Sequence, residues 1–92
     1  MPYIVTTIQN RTTTLTPFFE FPYSAREKYI TEGTLTADKE ISIDGLTMTG
    51  TLNFVNEDDY HTYMQDATIQ SLFAERVAYN SANNITLTTT AN

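Results

Sequence analysis

The chain contains no cysteine, so neither disulfides nor thiolate metal ligands reinforce it. It has no tryptophan and one histidine, His61; any serine–histidine–carboxylate arrangement would have to use that residue. Its three glycines, Gly33, Gly45 and Gly50, are isolated, which excludes a glycine-rich phosphate cradle. Cations are few: Arg11, Arg26, Lys28, Lys39 and Arg76 stand scattered against eleven carboxylates, for a net charge of −6. Nucleic-acid binders cluster Lys and Arg to neutralise phosphates, so this composition argues against nucleic acid, and against an anionic membrane surface for the same reason. No apolar run approaches the roughly 18 residues of a membrane span. The opening Met1-Pro2-Tyr3-Ile4-Val5 lacks the basic segment and long apolar stretch of a secretory signal, so a cytoplasmic location is expected.

What remains is rich in threonine and aromatics. The 92 residues are expected to form one α+β domain spanning 1–92. A domain of that size buries only about 60–65% of its unfolded surface, and with no cysteines, self-association is the common remaining source of stability. Threonine, abundant in runs such as Thr12-Thr13-Thr14 and Thr88-Thr89-Thr90, suits strands and gives an exposed sheet face a polar coat.

The strongest local signal is a β-hairpin. Leu46, Met48, Gly50, Leu52 and Phe54 alternate with Thr47, Thr49, Thr51 and Asn53, a period-two strand with one apolar face. Ile41 and Ile43 alternate with Glu40 and Ser42 before it. Asp44-Gly45 between them predicts a two-residue type I′ turn. Closing on that turn pairs Ile43 with Leu46, Ile41 with Met48, Lys39 with Gly50, Ala37 with Leu52 and Leu35 with Phe54. Every pair but Lys39–Gly50 is apolar, and a one-residue slip would destroy the agreement.

Ser24-Ala25-Arg26-Glu27 reads as a capping box, with Ser24 as N-cap, opening a short helix with Ala25, Tyr29 and Ile30 inward and Gly33 just past its end. Asn56 is placed to cap a second helix opened by Glu57-Asp58-Asp59, with Val55 and Tyr60 as a hydrophobic staple. Tyr60, Tyr63, Met64 and Ala67 share one face, whereas Ile69, Leu72, Phe73 and Val77 share another. The phase slips at Asp66-Ala67-Thr68, which predicts a kinked or broken helix with Asp66 capping anew; one helix with both faces buried is the alternative. Asn80-Ser81-Ala82-Asn83-Asn84 stops it, and Ile85-Thr86-Leu87-Thr88 resumes strand alternation. Tyr3 to Ile8, apolar on both faces, reads as a central strand. Thr12 to Thr16 has the composition of an extra strand. The order β-α-β-β-α-β is the ferredoxin-like, split βαβ pattern: four antiparallel strands with helices on one face.

No constellation carries catalysis, a metal or a cofactor. Glu57, Asp58 and Asp59 fan around a helix axis and do not converge as a hard cation requires. Their place at the positive end of the helix dipole accounts for them. Asp44 is explained by its turn, and Ser24, Ser42, Ser71 and Ser81 have no paired base. One segment resists a routine reading: Pro17-Phe18-Phe19-Glu20-Phe21-Pro22-Tyr23. Two of its phenylalanines are candidates to cap the core. As a docking loop, Phe18, Phe19, Phe21 and Tyr23 would contact a protein partner, with the prolines lowering the entropy cost of binding.

Two resemblances bear on function. In size, in Thr/Asn-rich strands and in the stretch Ser42-Ile43-Asp44-Gly45-Leu46-Thr47-Met48-Thr49, the chain resembles small accessory and structural proteins of tailed phages. That likeness implies a virion component, or an effector binding a host protein in the host cytoplasm. The element order, with Tyr60-His61-Thr62-Tyr63 followed by Ile69 and Phe73, is also similar to the dimeric α+β barrel group, which includes antibiotic-biosynthesis-type monooxygenases. That likeness implies a small molecule held between sheet and helices. The chain departs from this group in its threonine-rich sheet face, Thr34, Thr36, Ser42, Thr47, Thr49, Thr51 and Asn53, and in lacking paired polar residues that define a pocket. The sequence therefore favours a non-catalytic interaction or assembly module, with a protein partner or a second copy of itself, over a ligand-binding or monooxygenase-like dimer.

Overall fold

A computed structural model describes residues 1–92. In chain order the elements are β1 (Tyr3–Asn10), α1 (Tyr23–Thr31), β2 (Leu35–Ile41), β3 (Thr47–Phe54), α2 (Glu57–Met64), α3 (Ala67–Ala82) and β4 (Thr86–Ala91). The strands form one antiparallel sheet in the order β2-β3-β1-β4. Strand β1 is central, which is why it carries Ile4 and Ile8 on one face and Val5 on the other.

The hairpin register is the predicted one: Leu35 lies opposite Phe54, Ala37 opposite Leu52, Lys39 opposite Gly50 and Ile41 opposite Met48. Its turn is not. Only Gly45 has a positive φ, at 77°, so the type I′ geometry is absent and Ile43 does not pair with Leu46. The Gly45 N–H donates to the Ser42 carbonyl, while the Asp44 carboxylate accepts from the Leu46 N–H at 3.0 Å and from the Ser42 hydroxyl at 2.6 Å. The Ser42 Oγ then accepts the Thr47 N–H. Short polar side chains thus replace the two-residue turn with a four-residue loop. The same bonds hold the Asp44 carboxyl below the usual carboxylate range, the Ser42 hydroxyl contributing most.

Helix α1 begins one residue before the predicted cap. Pro22 precedes it in an extended conformation, and the Ala25 N–H donates to the Pro22 carbonyl. Ser24 therefore lies inside the first turn, and the reciprocal bond with Glu27 has no geometry in which to form. At the other end Gly33, with φ 78°, takes the left-handed position beyond the helix. Asn56 caps α2 through the Asp59 N–H. The staple does not form: Val55 is exposed, and Tyr60 lies instead against the rings of Tyr3 and Phe54. The helix breaks where the phase slips, and the Asp66 Oδ1 accepts from the N–H groups of Thr68 and Ile69 to start α3.

Residues 12–16 form turns, not a strand. The Arg11 guanidinium gathers them, donating to the carbonyls of Gly45 and Thr16 at 2.8 Å each and lying 4.2 Å from the Phe18 ring centre. The Tyr79 hydroxyl ties down the Pro17 carbonyl.

The three helices and the sheet enclose two separate apolar clusters. Val5, Tyr29, Leu35, Phe54, Tyr63 and Ile69 make the larger. Phe18, Met48 and Ile85 make the smaller, with Tyr79 packed against it. The opposite sheet face is the expected polar one, and the register extends it across all four strands. Thr6, Thr86, Thr88 and Thr90 join Thr47, Thr49 and Thr51 around a stripe of Ile4 and Ile8. Thr34 does not belong to it; its hydroxyl donates to the Tyr29 carbonyl at the end of α1. No helix is long and apolar enough to cross a membrane.

Candidate functional site: a cleft between sheet and helices

The gap between the two apolar clusters is a cleft of about 550 Å³. Its origin lies in one row across the sheet. Pairing places Lys39, Gly50, Thr7 and Thr89 side by side on the helix-facing surface, and all four line the cleft. The rows on either side are more apolar: Ala37, Leu52, Val5 and Ala91 on one flank, Ile41, Met48, Gln9 and Leu87 on the other. A row with one missing side chain and three polar ones leaves the helices nothing apolar to pack on. The space stays open there.

Gly50 has no positive φ, so backbone freedom does not explain it. Space does: a Cβ at this position would meet the Thr7 Oγ1 at 3.0 Å and intrude on the cleft floor. Tyr60, Tyr63 and Met64 of α2, with Phe73 and Arg76 of α3, form the roof. The aromatic loop and Arg26 of α1 close one side. Lys39 and Glu20 meet at 3.1 Å between strand β2 and the aromatic loop, with both side chains largely in water, where such a pair is worth only about 0–1 kcal/mol.

The roof carries an uncommon electrostatic arrangement. The Arg26 guanidinium lies 4.3 Å from the centre of the Phe21 ring, and the Arg76 guanidinium lies 5.4 Å from the same ring and 5.0 Å from that of Phe73. Arg26 Nε donates to the Tyr63 hydroxyl at 2.9 Å. Neither arginine has a carboxylate partner; the ion pairs are Lys28–Asp66 and Lys39–Glu20. Burial, then the charge of Arg26, holds the Arg76 guanidinium below its usual range. Burial likewise pushes the Tyr63 hydroxyl up, so it stays a neutral phenol.

The four aromatic-loop residues singled out in the sequence are placed differently from one another. Phe18 is buried in the smaller cluster. Phe19 and Phe21 are half-buried, touch edge to face, and line the cleft. Tyr23 is 66% exposed and stands apart as the first residue of α1. His61 pairs with Glu57 on the outer side of α2, and no three of His, Asp or Glu converge on a point that would hold a metal ion. Sequence reading missed Arg26, Tyr63, Phe73 and Arg76 as a group. The one available signal was the Lys39–Gly50 pair, the single break in an otherwise apolar register. No protein-family model matches this chain, nor does any curated protein or solved structure.

Proposed function

We propose that the protein is a non-catalytic small-molecule-binding domain whose cleft takes a ligand with an apolar body. The observation that carries this reading is the cleft itself. Its volume of about 550 Å³ falls within the ~300–1,000 Å³ of ligand pockets, which are mostly apolar with a few convergent polar groups. Leu52, Tyr60, Met64 and Phe73 supply the apolar walls, and Thr7, Thr89 and Lys39 the polar points. In fold terms we read the domain as ferredoxin-like. The strand order β2-β3-β1-β4 and the β-α-β-β-α-α-β sequence support that, with the second helix divided at Asp66.

The test is a titration of the ¹⁵N-labelled protein with a neutral aromatic probe, 2-naphthalenemethanol. Saturable shifts confined to Thr7, Gly50, Phe21 and Phe73 are expected. Shifts on the threonine face, or none at millimolar probe, would sink the reading.

A second reading has its own support. Leu15 and Ile43 are 89% and 109% exposed. They lie at the same end of the molecule, where Thr14 abuts Gly45. Exposed apolar side chains of this size favour contact with a protein partner or a second copy of the chain. Light scattering at high micromolar concentration tests self-association: a mass above 10.4 kDa that Ile43→Ser returns to the monomer is expected, and a monomer at all concentrations would count against it.

A further inference from the structure

From the placement of Arg26 and Arg76 around Phe21, we propose that the ligand is an organic anion: a carboxylate carrying an aromatic or aliphatic body, its charged end held by the two arginines. This deepens the small-molecule reading and rests on it.

Three observations converge. First, three of the five Lys and Arg residues, Arg26, Lys39 and Arg76, line one cleft in a chain of net charge −6. Cations spread without purpose over an acidic surface would sit beside its carboxylates. Of these three only Lys39 does so, through Glu20; the other acidic residue at the cleft, Asp38, belongs to the strand face that points away from the helices. Second, two like charges are held half-buried against one ring with no counter-ion. An arginine does not shed its proton, so in the free protein water alone offsets the mutual repulsion, and a bound anion would offset it more strongly in this low-dielectric setting. Third, the groups that fix the guanidinium planes are already in position. The Phe21 ring lies within 4.3 and 5.4 Å of the Arg26 and Arg76 guanidinium centres and the Phe73 ring within 5.0 Å of that of Arg76, and the Tyr63 hydroxyl occupies the Arg26 Nε. The terminal N–H groups of both remain free of any protein acceptor. Planar, pre-oriented guanidinium forks are the groups that bind carboxylates through paired hydrogen bonds.

The apolar part of the ligand follows from the rest of the lining. A bare inorganic anion would leave Leu52, Met64 and Tyr60 in contact with water. A carboxylate bearing a ring or a short chain covers them while its head reaches the arginines.

The experiment compares 2-naphthoate with its neutral counterpart, 2-naphthalenemethanol, by NMR titration of the full chain, following backbone amides and the Nε–Hε signals of Arg26 and Arg76. Naphthoate is expected to bind about tenfold or more tightly than the alcohol, and to move both Nε–Hε signals where the alcohol moves neither. In Arg76→Gln and in Arg26→Gln the ratio of the two affinities falls toward one; Arg76→Lys, which keeps the charge without the fork, retains part of it. Equal affinities in the wild-type protein, or a naphthoate preference unchanged in both glutamine variants, would overturn the anion assignment while leaving the cleft as a ligand site. No binding of either compound would overturn the assignment together with the reading it rests on.

Discussion

At the scale of single residues, the two positions with most to say are Gly50 and Asn80. Gly50 sits in a strand with ordinary backbone angles, where glycine costs roughly 0.5–1 kcal/mol against a residue with a side chain. A Gly50→Val substitution gains strand preference but requires the Thr7 side chain to give by a few tenths of an ångström, so the two effects offset and the melting temperature is expected to stay close to that of the wild type. A fall in melting temperature of many degrees would show that Thr7, 3.0 Å from the added Cβ, cannot yield. Asn80 is buried and its Nδ2 donates to the Oε1 of buried Gln9 at 3.1 Å, yet its own Oδ1 has no partner. Breaking such a pair from one side leaves a buried polar group unsatisfied, at about 1–3 kcal/mol, whereas replacing both partners is close to neutral. Asn80→Leu and Gln9→Leu are each expected to lower the denaturation midpoint, and the double variant to recover most of the loss. Additive losses in a double-mutant cycle would contradict this.

At the scale of elements, the junction between α2 and α3 depends on Asp66. Its carboxylate caps α3, accepts from the Tyr29 hydroxyl and faces the Lys28 ammonium at 3.4 Å. The Tyr29 bond does most to hold its carboxyl below the usual carboxylate range, with the backbone N–H groups of Ile69 and Thr68 and the Lys28 charge adding to it. A depressed carboxyl contributes stability that is present above its unfolded value, near 4, and is lost as pH falls through the lower folded one. Burial raises the hydroxyl pKa of Tyr29 and Tyr63, so their contribution is present below about pH 10 and lost above it. Urea midpoints are expected to be flat between these limits. Asp66→Asn, which can still cap, is expected to shrink the acid-side loss, and Asp66→Ala to cost about 1–2 kcal/mol near neutrality. An acid limb unchanged in Asp66→Asn would place the linkage elsewhere.

This is also the scale at which the sequence was most legible. The Leu35–Phe54 register and the break at Asp66 follow from periodicity, because a two-residue period and a phase slip are imposed by backbone geometry. The hairpin turn and the start of α1 do not follow. Each was decided by a local competition, Ser42 and Asp44 side chains against a tight turn, and the Pro22 carbonyl against the Ser24 hydroxyl. Residues 12–16 were drawn from strand to loop by the side chain of Arg11, a long-range tether that leaves no local pattern. The cleft was half visible. Lys39 opposite Gly50 marked its floor, but Arg76, legible only as one of five scattered cations, left the roof hidden, and the inward face of α3 runs through Arg76 and Asn80 whereas Val77, expected inward, is exposed.

The whole molecule is built on a one-sided sheet. One face is threonine with an isoleucine stripe; the other carries two apolar clusters held apart by a polar row, and the space between them is the site. The central claim is that this space binds a ligand, and it is tested most directly by comparing the binding isotherm of 2-naphthoate on the wild-type chain with that on Gly50→Val. Saturable one-to-one binding to the wild type is expected, with at least a tenfold loss in the variant while it remains folded with a melting temperature close to that of the wild type. Equal binding to both, with the variant folded, would contradict it.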